Sequence, residues 1–574
     1  MSSEKTRLLL LNTPPGVAST QATPAGISRV IEGVDRTLDI QISFLDLDLL
    51  KLPHEEIERR IVKHDPRILA FSACLTHSYS FVKKLSLGIK KALPQTIQVL
   101  GGQMAVVSNI LLQKTAIDFC VAGESEPIFS NLLRRLREKN FDPADKSAFK
   151  DIRGLAFMLD GVPYFTGYEN DCLNEVRQTN YEILAEHTDP EHYLQLIAGE
   201  FHTARMAEKD LRYFYSTLFP ENRAKRMATV YASKGCVNRC TFCHRFYPGY
   251  KVLEPGDVIS HIEQLRTKHD VGFVLFGDEN FGTHKEKTAE IVAYLRRNRV
   301  NWAACGKAKT IDLETMRSWK EAGCVGVALG TESGSQRMLD VMEKRTTMDE
   351  NINALRVFNE CGMSFGIAIV LGMPGESDAT VEESIKNLGT VIPNNVAAAY
   401  EIGVNWFQAI PGTPGYEFAR GTGLIGESLD EEERYLESLY GVDANNIKHY
   451  LNFTDNEKEE IAYWKEYITL ELTALYIKKH GILPVLRAKT GRRYKAAGLY
   501  MLVPRSVRKV VLKYLVMMRE FGPLSPLLLA LKKLKHKKEP RFSGINRSLR
   551  KIVEEMPQKI RPDDIHTYIL RKGR

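Results

Sequence analysis

The 574-residue sequence lacks the segments that carry a chain into or across a membrane. Its first apolar run, Leu8–Leu11, is too short for the core of a signal peptide. No run reaches the roughly 18 apolar residues that a transmembrane helix needs. Cysteine is also scarce, and nine cysteines without regular spacing exclude a disulfide-rich secreted domain. We therefore expect a reducing, cytoplasmic compartment.

Acidic residues are scarce towards the C-terminal end. The stretch Arg487–Arg574 holds 24 Lys and Arg against 6 Asp and Glu, a net charge of +18. Because the whole chain carries +8, the residues before this stretch carry −10. An acidic body with a basic tail bears on binding partners rather than on the fold.

Three of the cysteines lie in one stretch, Cys236-Val-Asn-Arg-Cys240-Thr-Phe-Cys243. One short loop of this spacing can place three thiolates around one face of a cubic iron–sulfur cluster, which normally takes four. One iron is then open to another molecule, which points to chemistry at the cluster. A zinc site is the alternative, but zinc usually takes two Cys pairs, and the only cysteines further along the chain are widely spaced. His244 adjoins Cys243 too closely for a relaxed tetrahedral site.

The first 140 residues alternate strands with helices. Strands are predicted at Arg7–Leu11, Gln41–Leu47, Ile68–Ser72, Ile97–Leu100 and Phe119–Ala122, with helices at Glu55–Lys63 and Ser78–Leu93. This alternation predicts an α/β domain with a doubly wound parallel sheet, which binds ligands at the carboxyl ends of its strands. The candidate ligand-binding residues at those ends are Ser72, Thr76, Gly101, Gly102, Gln103, Gly123 and Glu124. Glycine there lets the backbone approach a ligand, although it also suits an ordinary turn.

Residues 141–228 are predicted to form a bridge between domains. Ile152–Leu159 and Val162–Phe165 read as a hairpin, because Asp160-Gly161 between them is a strong turn signal. The aromatic residues that follow are expected to pack between domains or to line a substrate channel; they are Tyr193, Phe201, Tyr213, Phe214 and Tyr215.

Residues 229–425 repeat the order of strand and then helix. Strands are predicted at Thr229–Ala232, Phe273–Phe276, Trp302–Cys305, Val325–Leu329, Ser364–Leu371 and Ala398–Trp406. Six such units predict a partial (β/α)6 barrel, which does its chemistry at the carboxyl ends of the strands. Polar and glycine-rich segments fall at three of those ends: Gly277-Asp-Glu-Asn280, Gly330-Thr-Glu-Ser-Gly334 and Gly372-Met-Pro-Gly-Glu376.

Together these motifs resemble the radical SAM superfamily, and specifically its cobalamin-dependent branch, over roughly residues 5–425. Phe242 fits the aromatic residue usual before the last cysteine of the cluster motif. The three segments, followed by Pro411-Gly-Thr-Pro414, stand in the family's order. The resemblance implies that Cys236, Cys240 and Cys243 hold a 4Fe-4S cluster. It also implies that S-adenosylmethionine is bound by Asp278 or Glu279, and by Glu332, Ser333 and Gly372.

The implied activity is reductive cleavage of S-adenosylmethionine to a 5′-deoxyadenosyl radical, with an electron from a reductase or flavodoxin-type donor. The order of elements in the first domain, with its Gly101-Gly102 and Gly123–Glu126 turns, resembles a cobalamin-binding domain. Residues 1–140 lack the Asp-x-His-x-x-Gly motif that supplies a histidine to cobalt. Cobalamin is therefore expected to bind without a histidine ligand to cobalt. The alternative is a domain that has lost cobalamin.

The resemblance implies methylation of an unactivated carbon, with ring formation or rearrangement as the alternative in the same branch. Two remote alternatives are an RNA methylthiotransferase and a cobalamin or cluster sensor. The first requires three further cluster cysteines, whereas residues 1–140 contain only Cys74 and Cys120. The second is disfavoured because the S-adenosylmethionine motifs are all present.

Residues 426–574 are predicted to form a mostly helical, basic C-terminal domain. An amphipathic helix over Asp455–Lys479 is expected to cap the open barrel. Beyond it, apolar segments alternate with lysine and arginine, a pattern that suits either buried helices with a basic face or an anionic membrane surface. Membrane contact would favour a lipid-like, hydrophobic small-molecule substrate. A nucleic-acid partner is disfavoured, because the basic run lacks interleaved aromatic residues.

Overall fold

The computed structural model describes residues 5–14, 23–73, 76–168, 177–197, 214–244, 249–398, 400–426, 428–439, 444, 446–489, 491–535 and 540–556. All statements below concern these residues.

The N-terminal domain is built on one seven-stranded sheet. Its strands are β1 (Thr6–Asn12), β2 (Ile40–Asp46), β3 (Ile68–Ser72), β4 (Ile97–Gly101), β5 (Phe119–Val121), β6 (Leu155–Leu159) and β7 (Val162–Phe165), in the order β2-β1-β3-β4-β5-β6-β7. The first five strands pair in parallel. Leu8, Leu9, Leu10 and Leu11 are all buried, as expected of a parallel strand covered on both faces. The predicted doubly wound sheet is confirmed.

Helices cover both faces of this sheet. They span Ala25–Gly33, Leu47–Leu50, His54–His64, Tyr79–Ala92, Ser108–Lys114 and Ser125–Glu138. The sequence analysis did not predict Ala25–Gly33, Ser108–Lys114 or Ser125–Glu138. None of these three helices has a side-chain N-cap hydrogen bond, which the predicted helices His54–His64 and Tyr79–Ala92 also lack.

The predicted hairpin belongs to this sheet rather than to the bridge. Strand β6 pairs antiparallel with β5, and β7 pairs with β6, so the sheet extends past residue 140 to Phe165. The physical reason is that β5 would otherwise be an open edge with unpaired backbone groups.

The described part of the bridge packs against both neighbouring domains. Helix Tyr181–Ala185 contacts helix Ala25–Gly33. The buried Tyr193 hydroxyl donates to Asp46 Oδ2 at 2.6 Å, and Phe214 and Tyr215 pack against the barrel residue Phe273 and its neighbours. Packing is thus the observed role of these three aromatic residues. Phe201 and Tyr213 lie outside the described residues.

The central domain contains six parallel strands in barrel order. They are β8 (Arg226–Val230), β11 (Val271–Phe276), β12 (Asn301–Gly306), β13 (Cys324–Leu329), β14 (Phe365–Leu371) and β15 (Tyr400–Trp406), with the hairpin β9 (Ser233–Gly235) and β10 (Tyr250–Val252) after the first. Strands β8, β11, β12 and β13 form one sheet, and β14 pairs with β15. Parallel bridges from Gly326 to Ser364 and from Glu332 to Ile369 join the two sets. The predicted six strands are confirmed.

The barrel helices span Pro255–His269, Lys285–Arg297, Leu313–Glu321, Gln336–Val341, Met348–Glu360, Asp378–Leu388 and Pro414–Gly421. The first strand begins and ends earlier than predicted, because Ala232 already turns away to donate its N–H to Asp278.

The C-terminal region is helical. Its helices span Leu429–Ser438, Lys458–Ile461, Trp464–His480, Ile482–Ala488, Arg492–Leu502, Arg505–Phe521, Ser525–Lys535 and Leu549–Glu555. The helix Trp464–His480 lies along the edge of the open barrel, where Tyr476 stacks on Tyr400 of β15 with 5.4 Å between ring centroids. Its Trp464 Nε1 donates to Asp378 Oδ1 at 2.6 Å.

Among the described helices, none alone has the length and composition to cross a membrane. Arg505–Phe521 and Ser525–Leu534 pass that criterion only as a pair, and the chain bends by 98° between them.

Candidate functional site at the interface of the sheet and the barrel

The cysteine loop is held to the barrel by Thr241. This fully buried residue donates its N–H to Met342 O at 2.8 Å and its hydroxyl to Val341 O at 3.1 Å, and it accepts from Gly415 N–H at 3.0 Å. Because Thr241 lies between Cys240 and Cys243, these bonds fix both cysteines relative to the barrel strands. The adjoining Phe242 is half-buried and packs against the core.

The three cysteines share one electrostatic environment. Burial raises the pKa of Cys240 to about 11 and that of Cys243 to about 12, and each of them also interacts with Cys236. Cys243 has exposed surface although protein surrounds it on most sides, as expected on a cavity wall. Asn280 Nδ2 donates to Cys236 Sγ at 2.6 Å.

This donor set fits a cluster better than a single ion. No three His, Cys, Asp or Glu side chains among the described residues converge where one metal ion would sit. A cubic cluster needs no such convergence, since each of its irons takes its own thiolate. The same loop also has two nearby cations, Lys344 and Lys307, that interact with Cys240 and so offset the negative charge of a thiolate-bound cluster.

The structure separates the two candidate carboxylates after β11. Asp278 is buried, and its carboxylate accepts from Ala232 N–H at 3.0 Å and from the Ser233 hydroxyl. Burial raises its pKa to about 6, against the lowering effect of these bonds. Asp278 therefore positions the chain that leads into the cysteine loop, whereas Glu279 lines the cavity described below.

Glu332 forms a largely buried ion pair with Lys344. The Nζ of Lys344 lies 2.7 Å from Glu332 Oε1, and about 14% and 13% of the two side chains are exposed. Burial alone lowers the pKa of Lys344, but Glu332 and the thiol of Cys240 outweigh it and the net shift is upward. Glu332 also has φ of +57°, an uncommon conformation for a residue other than glycine and one often found at functional sites.

Ser333 and Gly372 are placed to support the barrel turns. Ser333 is buried, with its hydroxyl 3.3 Å from Ser384 Oγ. Gly372 has φ of +82°, and a Cβ there would lie 2.6 Å from the Tyr450 ring. Its N–H donates to Glu376 Oε2 at 2.5 Å, and burial raises the pKa of Glu376 to about 7. The C-terminal region therefore closes over this turn.

A cavity of about 300 Å³ lies between the two domains. From the N-terminal sheet it is lined by the predicted residues Ser72, Gly101, Gly102, Gln103, Gly123 and Glu124. From the barrel it is lined by Lys234, Gly235, His244 and Glu279. The predicted ligand-binding edge of the sheet and the surroundings of the cysteine loop thus share one space. Thr76 begins the short turn Thr76–Ser78 and does not line this cavity.

The glycines on the sheet side open the cavity to a bulky ligand. Gly102 has φ of +92°, and a Cβ there would lie 2.6 Å from the Ala73 carbonyl oxygen. At Gly101 a Cβ would meet nothing closer than 3.6 Å, so the backbone itself forms the cavity wall. Among the described residues Arg29 Nε is buried without a hydrogen-bond partner, and Arg29 lines the same cavity. This combination fits a large ligand rich in hydrogen-bond acceptors, such as cobalamin.

Sequence reasoning missed several residues of this site. Arg29 comes from a helix that was not predicted, and Lys234, whose Nζ pairs with Glu124, precedes the cysteines without forming part of a motif. His244 was considered only as a zinc ligand, but it lines the cavity and its Nδ1 lies 2.9 Å from Pro411 O. The signal for Lys234 and His244 was their position beside the cysteine motif, whereas for Arg29 there was none.

Two family models match the chain, one in the N-terminal domain and one in the barrel. The B12 binding domain matches residues 17–133, and the radical SAM superfamily matches residues 230–388.

One curated relative is the anaerobic magnesium-protoporphyrin IX monomethyl ester cyclase of Cereibacter sphaeroides, 26% identical over 63% of this chain and 56% of that protein. Another is the hopanoid C-3 methylase of Methylococcus capsulatus, 24% identical over 62% of this chain and 61% of that protein. The chain thus spans less than two thirds of the length of either relative.

A solved structure with the same fold is the radical S-adenosylmethionine methyltransferase TsrM from Kitasatospora setae, with cobalamin and a 4Fe-4S cluster bound. Its TM-score is 0.54 at 16% identity, over 74% of this chain and 76% of that chain.

The barrel of this chain is a radical SAM domain. A B12-binding domain precedes the barrel, and the predicted combination of the two domains is confirmed. The cofactors of this chain are a 4Fe-4S cluster, S-adenosylmethionine and cobalamin.

Proposed function

We propose that the enzyme methylates an unactivated carbon of a hydrophobic or natural-product substrate. The observation that carries the proposal is the single cavity bordered by Gly101 and Gly102 of the sheet and by Glu279 beside the cysteine loop. A methyl donor and a substrate radical must meet in one space, and the two domains share this cavity. The similarity to a hopanoid methylase and to the fold of TsrM supports the same reaction.

When bound, the cluster and S-adenosylmethionine supply a radical, and cobalamin supplies a methyl group. We assign to the chain the binding and orientation of these groups. Glu279 suits the cationic amino group of S-adenosylmethionine, and Asn280 donates a hydrogen bond to a cluster cysteine. Gly101 and Gly102 keep side chains away from the corrin. The proposal also includes an external reductase or flavodoxin-type donor, because reductive cleavage consumes one electron.

Ring formation is the second candidate, since the cyclase from Cereibacter sphaeroides is 26% identical to this chain. The two reactions differ in what becomes of S-adenosylmethionine. Methylation that regenerates methylcobalamin yields S-adenosylhomocysteine as well as 5′-deoxyadenosine, and the product gains one methylene unit. A cyclase yields 5′-deoxyadenosine alone.

The test supplies the reconstituted, reduced enzyme with S-adenosylmethionine bearing a trideuterated methyl group, together with extracts of hydrophobic metabolites. We expect a deuterium-labelled product by mass spectrometry and both adenosyl products in comparable amounts. Conversion of a substrate with 5′-deoxyadenosine but without label transfer would refute methylation and support the ring-forming alternative.

A further inference from the structure

The helices between Ile482 and Lys535 present apolar side chains to the outside. Of the 22 large hydrophobic residues exposed in the described part of the chain, 14 lie between Ile482 and Leu534. Exposed apolar residues grouped in this number along consecutive helices mark an interaction site, whereas isolated ones do not. We call this surface, from Ile482 to Leu534, the apolar face.

The helix Arg505–Phe521 has one continuous apolar stripe on its exposed side. Its members are 39% to 56% exposed and recur at helical spacing; they are Val507, Val510, Val511, Tyr514 and Leu515. A surface helix of a soluble protein normally turns such a stripe towards the core and its charges towards water.

Two lysines of this helix point the other way, towards the protein. Lys509 Nζ donates to Glu382 Oε1 at 2.9 Å, and Lys513 Nζ lies 3.6 Å from Glu460 Oε1. These pairs hold the helix to the acidic body through its basic side. Because these ion pairs hold the basic side of the helix against the protein, the apolar stripe on the opposite side faces outwards.

The next helix, Ser525–Lys535, repeats the arrangement. Its exposed leucines are Leu527, Leu528, Leu531 and Leu534. The Nζ atoms of Lys532 and Lys533 pair with Glu457 and Glu460 at 2.7 and 2.6 Å. Neither of these two helices alone has the length and composition to cross a bilayer, and the chain bends by 98° between them. Both are suited to lie along a bilayer surface.

Charge decides which partner fits the apolar face. Residues 482–535 contain 13 Lys and Arg and one acidic residue, Glu520. Lys509, Lys513, Lys532 and Lys533 pair with the acidic body, but a second copy of the chain would still bring exposed cations against those of the first, and like charges oppose such contact. Arg492, Lys495 and Arg505 are exposed among the apolar helices. Exposed cations beside leucine and valine stripes match lipid phosphates beside acyl chains.

We propose that the apolar face docks the enzyme on a bilayer that contains anionic lipid. The helices Arg505–Phe521 and Ser525–Lys535 lie in the headgroup region with their stripes towards the acyl chains. This inference goes beyond the proposed reaction and holds equally for methylation and for ring formation.

The test is flotation of the full-length, reconstituted enzyme with vesicles of phosphatidylcholine alone or with about 30% phosphatidylglycerol. We expect binding to the anionic vesicles and weaker binding at high salt, because salt screens the cationic contribution. Replacing Leu528→Gln and Leu531→Gln together should weaken partitioning by roughly one to two orders of magnitude, since two buried leucines are lost from the interface.

The matched control replaces Leu87→Gln and Val162→Gln, which are exposed apolar residues of the N-terminal domain. This control should bind vesicles as the unchanged enzyme does, and both double variants should keep the 4Fe-4S absorbance. Equal binding of the two double variants, or no binding to anionic vesicles, would overturn the proposal. A lipid-free dimer that dissociates when Leu528 and Leu531 are replaced would overturn it in favour of self-association.

Discussion

The two walls of the central cavity are built in different ways. On the barrel side the cavity is lined by Lys234, Gly235, His244 and Glu279. Buried charged groups support the barrel behind this lining, with Glu332 paired to Lys344 and Asp278 bonded to Ala232 and Ser233. The sheet wall depends on backbone, with Gly101 and Gly102 at the end of β4. A wall that orients a small charged molecule needs directed charges, whereas one that accepts a large macrocycle needs room. The difference supports binding of S-adenosylmethionine by the barrel and of cobalamin by the sheet.

The largest expected effect is on the barrel side. Replacing Cys236, Cys240 and Cys243 with Ala should abolish 4Fe-4S absorbance and all formation of 5′-deoxyadenosine, because no thiolate of the loop remains. Cobalamin binding, measured by the absorbance that co-purifies, should persist. Cys361→Ala, outside the loop, is the control and should keep the cluster. An intact cluster spectrum in the triple variant would contradict the ligand assignment.

The next effect tests whether charge pairing maintains the barrel wall. Lys344→Met leaves the Glu332 carboxylate buried without its partner, which should lower the free energy of unfolding by about 3–5 kcal/mol. Denaturant titration of the cluster-free protein measures it. Arg296→Met breaks a pair with Glu321 in which both side chains are about 60% exposed. That change should cost under about 1 kcal/mol, and equal costs would refute the distinction.

The pH dependence of stability tests the buried carboxyl of the Gly372 turn. Burial raises the pKa of Glu376 to about 7, so the folded state holds a proton that the unfolded state has released. Stability should therefore fall as pH rises from the usual glutamate pKa, about 4.5, to about 7. Glu376→Gln removes this loss and should gain up to ~3 kcal/mol over wild type above pH 7. Parallel profiles of melting temperature against pH for the two proteins would contradict the prediction.

The sheet wall is tested by adding a single methyl group. Gly102→Ala places a Cβ against the Ala73 carbonyl oxygen in a left-handed backbone conformation, and should weaken cobalamin binding by about tenfold or more. The control is Gly161→Ala, which has a similar φ of +81° but no atom within 4 Å of the new Cβ. Both variants place alanine in a left-handed backbone conformation, so what separates them is the clash of the new Cβ with the Ala73 backbone in a turn that borders the cavity. Equal cobalamin affinities would show that this turn does not border the corrin.

The smallest effect concerns the cobalt ligand. Cobalamin should bind without histidine coordination, so the EPR spectrum of the cob(II)alamin form should lack histidine nitrogen coupling. His244 lines the cavity from the barrel side, and His244→Ala should leave that spectrum unchanged. Nitrogen coupling that disappears in His244→Ala would mean that the cysteine loop itself supplies a cobalt ligand.

Local patterns in the sequence were sufficient for much of the fold. Strand Ile68–Ser72 matches its predicted bounds, and helix His54–His64 extends one residue beyond the predicted Glu55–Lys63 at each end, because a short apolar run marks the first and helical apolar spacing the second. The hairpin was assigned to the wrong part of the molecule, since strand pairing between β5 and β6 has no local signature. The roles of Asp278 and Glu279 were likewise left open, since adjacent residues on a turn differ only in where each side chain points.

The sequence by itself determined the cofactors through the resemblance that the three cysteines, the ordered barrel motifs and the glycine turns carry, and covalent spacing alone places the three cysteines in one loop. Only the tertiary structure decided that the turns of the sheet and Glu279 of the barrel border one cavity, with Arg29, Lys234 and His244 among its walls. The tertiary structure also places the leucine and valine stripes of the C-terminal helices on the outside of the molecule. Both outcomes depend on packing between segments distant in the chain, which residue spacing does not encode.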